Sequence, residues 1–222
     1  MREKLPLFPL GTVLYPGLLL PLHIFEERYR QLMRDLLERP QPRRFGGIAI
    51  RKGRETGVDG VSALYEVGCL ATVRQVVQHT DGTFDIVVVG SSRFRLQALD
   101  DSWAYLRGLV DLLPEQTGDE AAAAQAVPAV QRAFRGYLAA LDARGLTQEG
   151  PDELPEEPGL LSYLVAATMV IDLPNRQALL AEPDHGHRLE AERKLLSRET
   201  AMLRALTSTP APDLKYTPPS PN

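Results

Sequence analysis

Residues 1–33, MREKLPLFPLGTVLYPGLLLPLHIFEERYRQLM, decide how the rest of the chain is read. From Leu5 to Leu22 there is no charged side chain, and the run reaches roughly the 18 apolar residues at which a membrane-spanning helix becomes a candidate. A basic start before an apolar run is also how export signals look. Pro6, Pro9, Pro16 and Pro21, with Gly11 and Gly17, are spread through it and leave no uninterrupted helical turns. The run passes straight into His23-Ile24-Phe25-Glu26-Glu27-Arg28 without a small-residue cleavage step. The expectation is an extended, proline-punctuated segment from Leu5 to Pro21 that belongs to a folded core, in a cytoplasmic protein.

Working outward, Phe25, Tyr29, Leu32, Met33, Leu36 and Leu37 recur with a period near 3.6, which predicts an amphipathic helix. Glu26 and Glu27 fall in its first turn, where they suit the positive end of the helix dipole, and Pro40 and Pro42 stop it. From Arg44 to Leu113 the pattern is that of strands. The segment GCLATVRQVVQHTDGTFDIVVVG carries two β-rich runs around Asp81-Gly82, a dipeptide suited to a tight hairpin. RFRLQAL alternates, with Phe94, Leu96 and Ala98 on one face and Arg93, Arg95 and Gln97 on the other, as in a half-buried antiparallel strand. KGRETGVDGVSA reads as a loop.

Past Pro114 helices take over. Val127, Val130, Phe134, Tyr137, Leu138 and Leu141 form one stripe, ended by Gly145. LLSYLVAATMVIDL, apolar nearly all round, predicts a buried central helix stopped by Pro174, and NRQALLA adds a short one. Asp184 is placed to cap a final helix carrying Leu189, Leu195, Leu196, Met202, Leu203 and Leu206. The residues therefore predict an α+β fold in two parts: residues 1–115 rich in strands, residues 116–207 helical, and a Pro-rich tail at 208–222.

The chain of 222 residues is 44% hydrophobic and 24% charged, the profile of a soluble protein. With 25 Lys and Arg against 29 Asp and Glu, its formal charge of -4 offers nucleic acid or an acidic membrane no general attraction. Arg93, Arg95 and Arg107 on exposed strand faces hint at RNA binding, which the acidic total makes less favourable. The lone Cys69 excludes an internal disulfide and a four-cysteine zinc site within one chain, and its apolar strand suggests a buried small hydrophobe. GSSRFR is no phosphate-binding loop, and there is no G-x-S-x-G elbow to activate Ser91 or Ser92. His185 and His187 read as solvated capping-turn residues, since a metal site needs three or four ligands. The motifs point away from an enzyme, and no cofactor is implied.

With the elements placed, LPLFPLGTVLYPGLLLPLHIFEERYRQLM resembles the opening of the Lon protease N-terminal domain family: L-P-L-F-P-L, then P-G, then L-x-I-F-E-x-R-Y. VGCLATVRQVVQHTDGTFDIVVVGSSRFRL resembles its V-G-x-x-A-x-I strand, D-G hairpin and V-x-G-x-x-R-F segment. LPNRQALLAEPDHGHRLEAERKLL resembles its helical end. The likeness runs from Leu5 to about Leu206. It implies a twisted, β-barrel-like lobe of the PUA-like type with one amphipathic helix, then a helical bundle, and a role in recognising protein substrates. The P-loop ATPase and Ser-Lys protease modules of full-length Lon have no counterpart in these residues, so the chain reads as a stand-alone domain.

The expected function is non-catalytic binding of unfolded or partly folded proteins and peptides, with a protease or chaperone as a further partner. Tyr15, Phe45, Tyr65 and Trp103, aromatics near predicted loops, are candidate substrate contacts, although core packing is the commoner role for such residues. The alternative is a small-molecule-binding protein or enzyme with His23, Glu26 and Arg93 converging in a cleft between the lobes.

Overall fold

A computed structural model describes residues 2–53, 61–116, 118–146 and 153–205. Residues 54–60 of the expected KGRETGVDGVSA loop, the middle of the acidic Pro-rich loop, Leu206 and the tail lie outside the described residues, and the two ends of KGRETGVDGVSA are strand rather than loop. The elements are β1 (Arg2–Leu10), β2 (Leu19–Ile24), α1 (Glu27–Leu37), β3 (Arg44–Gly53), β4 (Val61–Leu64), β5 (Val67–Gln78), β6 (Phe84–Asp100) and β7 (Arg107–Leu113). Helices α2 (Glu120–Asp142), α3 (Pro158–Thr168), α4 (Leu173–Ala181) and α5 (His185–Ala205) follow.

The opening run is therefore two strands rather than a helix, and among the described residues no helix is long and apolar enough to cross a membrane. β1 pairs antiparallel with β7 through Arg2–Pro6, then parallel with β3 through Leu7–Leu10. β7 pairs with β6, β6 with β5 and β5 with β3, so the pairings return to β1. The first half of β6 lies between β5 and β2, the second between β5 and β7. The Asp81-Gly82 turn joins β5 to β6, with Gly82 at φ 80 and the Gly82 N–H donating to His79 O. Arg30 of α1 grips this turn, its Nε donating to Gly82 O at 2.8 Å.

α1 presents Tyr29, Leu32, Met33 and Leu36 to a core built with Phe45, Phe84, Ile86 and Val88. Phe25 does not head this stripe: it precedes the helix and is 52% exposed. Glu26 is the N-cap residue but makes no side-chain cap, and its carboxylate instead bridges Arg28 at 2.8 Å. A second core lies within the ring of strands, with Leu7, Ile48, Leu70, Phe94 and Val110. A third is shared between strands and helices, with Tyr15, Ala49 and Val67 against Tyr163, Ala166, Leu179 and Leu180.

Pro174 proves to start a helix rather than stop one. α3 ends at Thr168, and Pro174 occupies the first turn of α4, where its missing N–H has no partner to lose. Asp172 caps α4 by accepting from Asn175 N, and Asp184 caps α5 by accepting from His187 N at 2.8 Å. His185 is buried rather than solvated, with Nε2 3.5 Å from Glu120. The bundle core of Val127, Val130, Phe134, Tyr137 and Leu141 with Leu161, Val165, Leu189 and Leu196 follows the expected stripes, whereas Met202 is half exposed.

Arg93 differs most from its sequence expectation. The alternation of β6 holds through Phe94 and Leu96, but an irregularity between Leu96 and Ala98 leaves Ala98 exposed; the face opposite Phe94 is covered at this point by the helices, and Arg93 is 1% exposed. Its guanidinium donates to Glu115 at 2.9 Å and to the carbonyls of Leu180 and Glu182 at 3.1 and 2.8 Å. Arg188 of α5, also buried, donates to Glu115 at 3.3 Å, Leu179 O at 3.0 Å, Glu182 O at 2.7 Å and Ser162 Oγ at 2.9 Å. Arg93→Ala is expected to destabilise the chain by about 3–5 kcal/mol, because it empties a buried site, removes one of the two guanidinium groups that Glu115 binds and takes a donor from the carbonyls of Leu180, Glu182, Pro114 and Pro183. Urea unfolding measures it, and a loss under 1 kcal/mol would show the network to be dispensable.

Candidate functional site

Strands β2, β6 and β5 form a three-stranded face whose outward side chains come from the odd-numbered residues of each strand near the hairpin. Cross-strand rows of this register are Pro21–Val87–Gln75 and His23–Asp85–Val77, with Leu19 beside Val89. β2 reads exposed, half-buried, exposed along its length, as expected of a strand with one face to solvent. Leu19 is 66% and Val77 56% exposed. Between Pro21 and Val77 lies an open groove of about 490 Å³. Leu19 and Val77 stand at opposite corners of the face, and Pro21 with the half-buried Val87 and Val89 joins them into one apolar surface, the kind of patch that marks an interaction site more often than a lone exposed side chain does.

The polar end of the face is one shared carboxylate. Asp85 accepts from His23 Nδ1 at 2.6 Å and from His79 Nε2 at 2.7 Å. These two bonds hold its carboxyl below the usual range. The His23 ring stacks with Phe25 at 6.0 Å between centroids. Beside them a cavity of about 100 Å³, the size of one large side chain, is walled by Phe8 and Leu10 of β1, Leu22 and Ile24 of β2, and Phe25, Glu26 and Tyr29.

His23 and Glu26 thus border the same cavity, but Arg93 does not join them. It lies eight residues along β6 from Asp85, roughly 25 Å at strand spacing, and its donors are occupied in the seam with the helices. The expected convergence of these three residues is corrected accordingly. Tyr15 and Phe45 are corrected too. Both are fully buried: Tyr15 donates its hydroxyl to Arg176 O at 2.8 Å, and Phe45 packs near Phe8. Burial pushes the Tyr15 phenol upward. Tyr65 is half-buried against the shared core. Trp103 is 54% exposed, with the Arg107 guanidinium 4.4 Å above its ring. Leu19, Val77 and His79 were not singled out in the sequence. Two histidines flanking one aspartate across a hairpin and its neighbouring strand become visible only once the register is known.

Catalytic chemistry finds little to work with among the described residues. Burial pushes the Cys69 thiol up to about 12, away from the thiolate a nucleophile needs. The His–Asp contacts are open to solvent. No group of three or more His, Cys, Asp or Glu among the described residues is arranged to hold a metal ion. Glu192 of α5, a strongly perturbed carboxyl, is buried within electrostatic reach of Tyr15 and Arg188 rather than at the face.

The arrangement is a mixed sheet-and-helix fold, and solved structures share it. The Lon N-terminal domain protein from Xanthomonas campestris superposes with TM-score 0.58 at 23% identity, over 88% of this chain and 98% of that one. The N-terminal domain of Mycobacterium avium complex Lon protease gives 0.60 at 16%, over 90% and 98%. Residues 4–198 match the ATP-dependent protease La (LON) substrate-binding domain, and the chain belongs to that family. It is 26% identical over 210 residues to Lon protease of Escherichia coli K12, covering 91% of this chain and 26% of the relative. Against Lon protease 2 of Myxococcus xanthus the identity is 25% over 216 residues, with 91% and 24% covered. The chain spans about a quarter of the length of these curated relatives.

Glu192 generates a pH prediction. It is completely buried, neither carboxyl oxygen has a hydrogen-bond partner, and desolvation raises its pKa well above 4.5 against the opposing pull of Arg188. A carboxyl raised in the folded state binds its proton there more tightly than in the unfolded chain. Its contribution is therefore fully present below its unfolded pKa and is lost as pH rises through the folded one. Glu192→Gln is expected to raise the urea midpoint at pH 8, the gain shrinking as pH falls toward 4.5. A gain that does not vary with pH would show that Glu192 does not titrate between the two states.

Proposed function

We propose that this chain is a non-catalytic recognition module that holds exposed apolar segments of partly unfolded proteins on the β2–β6–β5 face. Its strand-rich part, residues 1–115, acts as a PUA-like, barrel-like binding lobe. Residues 116–207 act as a helical support, and the whole works in the cytoplasm. The observation that carries this reading is the exposure of three large apolar side chains on and beside this face, Val77 in the open groove, Leu19 on β2 and Phe25 at the mouth of the smaller cavity, in a chain whose family is described by substrate binding. A surface of this kind binds weakly and without strict sequence choice, because apolar burial is non-directional. Unfolded clients satisfy it by offering many apolar side chains in turn. Delivery of such clients to a protease or chaperone is the use that the reading gives the module.

The test is binding of a reduced, S-carboxymethylated globular protein, which cannot refold. The chain should bind it in the micromolar range. The triple substitution Leu19→Ser, Phe25→Ser, Val77→Ser should weaken binding at least tenfold, leaving the far-UV spectrum and urea midpoint unchanged because all three side chains are more than half exposed. Trp103→Ser, a large exposed side chain on the Asp100–Arg107 connection and outside the groove, is the matched control and should bind as the parent does. Equal binding by the triple variant and the parent would refute the assignment of the face.

A further inference from the structure

We propose that the face takes its client as an extended strand added to the free edge of β2, with one apolar client side chain seated in the cavity between β1 and β2. This rests on the recognition reading above and specifies its geometry. β2 is bonded along one side only: it pairs with β6, and among the described residues no other strand pairs with it. The Gly90 N–H donates to Leu18 O at 2.9 Å. Stepping from there along the register makes Leu20, Leu22 and Ile24 the residues that exchange bonds with β6. The backbone groups of Leu19, Pro21 and His23 then point away from β6. That edge offers two N–H donors, from Leu19 and His23, and three carbonyl acceptors.

A row of strand-spaced donors and acceptors is satisfied by another extended backbone and not by a helix, whose own groups are already paired. The cavity agrees with that occupant. It is walled by Phe8 and Leu10 on one side and Leu22 and Ile24 on the other, with no residue of β6, so it lies off the edge that β6 leaves unpaired. At about 100 Å³ it has room for one leucine-sized or phenylalanine-sized group. Backbone pairing supplies affinity without regard to sequence, and the cavity selects an apolar residue at a single position. Pro21 deletes the central donor of the edge. Two donors in place of three keep the pairing short and reversible, and discourage copies of this chain from pairing with each other.

The probe is the peptide acetyl-Lys-Thr-Leu-Thr-Phe-Thr-Leu-Thr-Lys-amide, with two further versions N-methylated on alternate residues in each of the two registers. On the full chain, amide exchange followed by NMR should slow at least tenfold at Leu19 and His23 when the unmodified peptide saturates. One N-methylated version should lose at least tenfold in affinity, the other less than twofold. Pro21→Thr, which restores an outward N–H without touching the bonds to β6, should tighten binding about threefold or more. If both methylated versions bind equally well, or the Leu19 and His23 amides exchange as before, strand addition is overturned while the recognition reading stands. If neither the peptide nor the S-carboxymethylated protein binds at all, the recognition reading falls and this inference with it.

Discussion

Two buried arginines sharing one carboxylate hold the strands to the helices. Arg93 comes from β6, Arg188 from α5, and Glu115 from the connection between β7 and α2. Cations are taken out of water only where their donors are met, and the partners here are the carbonyls that the last turn of α4 and the residues after it leave open. Leu179, Leu180 and Glu182 accept from one arginine or both. The negative end of a short helix thus faces two positive charges, the favourable pairing for a helix dipole. Tyr163 completes the arrangement: its hydroxyl donates to Glu115, and Arg188 lies 4.1 Å over its ring. Ion networks of this kind add little net stability over apolar packing, but they tolerate only one register. Here that register fixes where α4 and α5 sit against the sheet.

The same seam explains two neighbours. Gly90 of β6 lies so close to the loop after β1 that a Cβ would stand 2.1 Å from Tyr15 O, so the loop and strand approach at backbone distance. Tyr15 reaches from that loop into the shared core beside Tyr163 and bonds the Arg176 carbonyl of α4. A segment that begins as an apolar run in the sequence therefore serves both parts of the fold. Its first strand closes the ring of pairings, its loop docks on helices, and its second strand builds the outer face.

The periodic parts of the fold were legible in the residues. The α1 stripe, the Asp81-Gly82 hairpin, the α2 stripe ended near Gly145 and the Asp184 cap all follow from local chemistry that tertiary packing reinforces. Pro174 was misread because a proline ends one helix and begins another with equal ease, and only Asp172, two residues earlier, distinguishes the cases. Arg93, Tyr15 and Phe45 were misplaced for a common reason. Alternation tells which residues share a face, and proximity to a loop suggests exposure, but neither tells what covers that face. The parent lesson applies to the site as well. Leu19 and Val77 look like ordinary strand residues, and His23 is 62 residues from Asp85 in sequence. They form one surface only through the β2–β6–β5 register.

An exposed apolar sheet with an open edge is normally a route to aggregation, so a protein that keeps one for binding must limit it. Three features of this face do so. Pro21 interrupts the edge in the middle, where a pairing strand would gain most from a continuous ladder. The His23–Asp85–His79 cluster puts polar, ionisable groups at one end of the apolar surface, so a second copy laid over the face must desolvate them. Arg30 clamps the hairpin that carries His79, which keeps β5 and β6 from opening to extend the unpaired edge. What remains is a short apolar edge, a few residues long and too short for stable sheet growth. Under the proposed reading, weak affinity for a client follows from the same geometry that limits sheet growth.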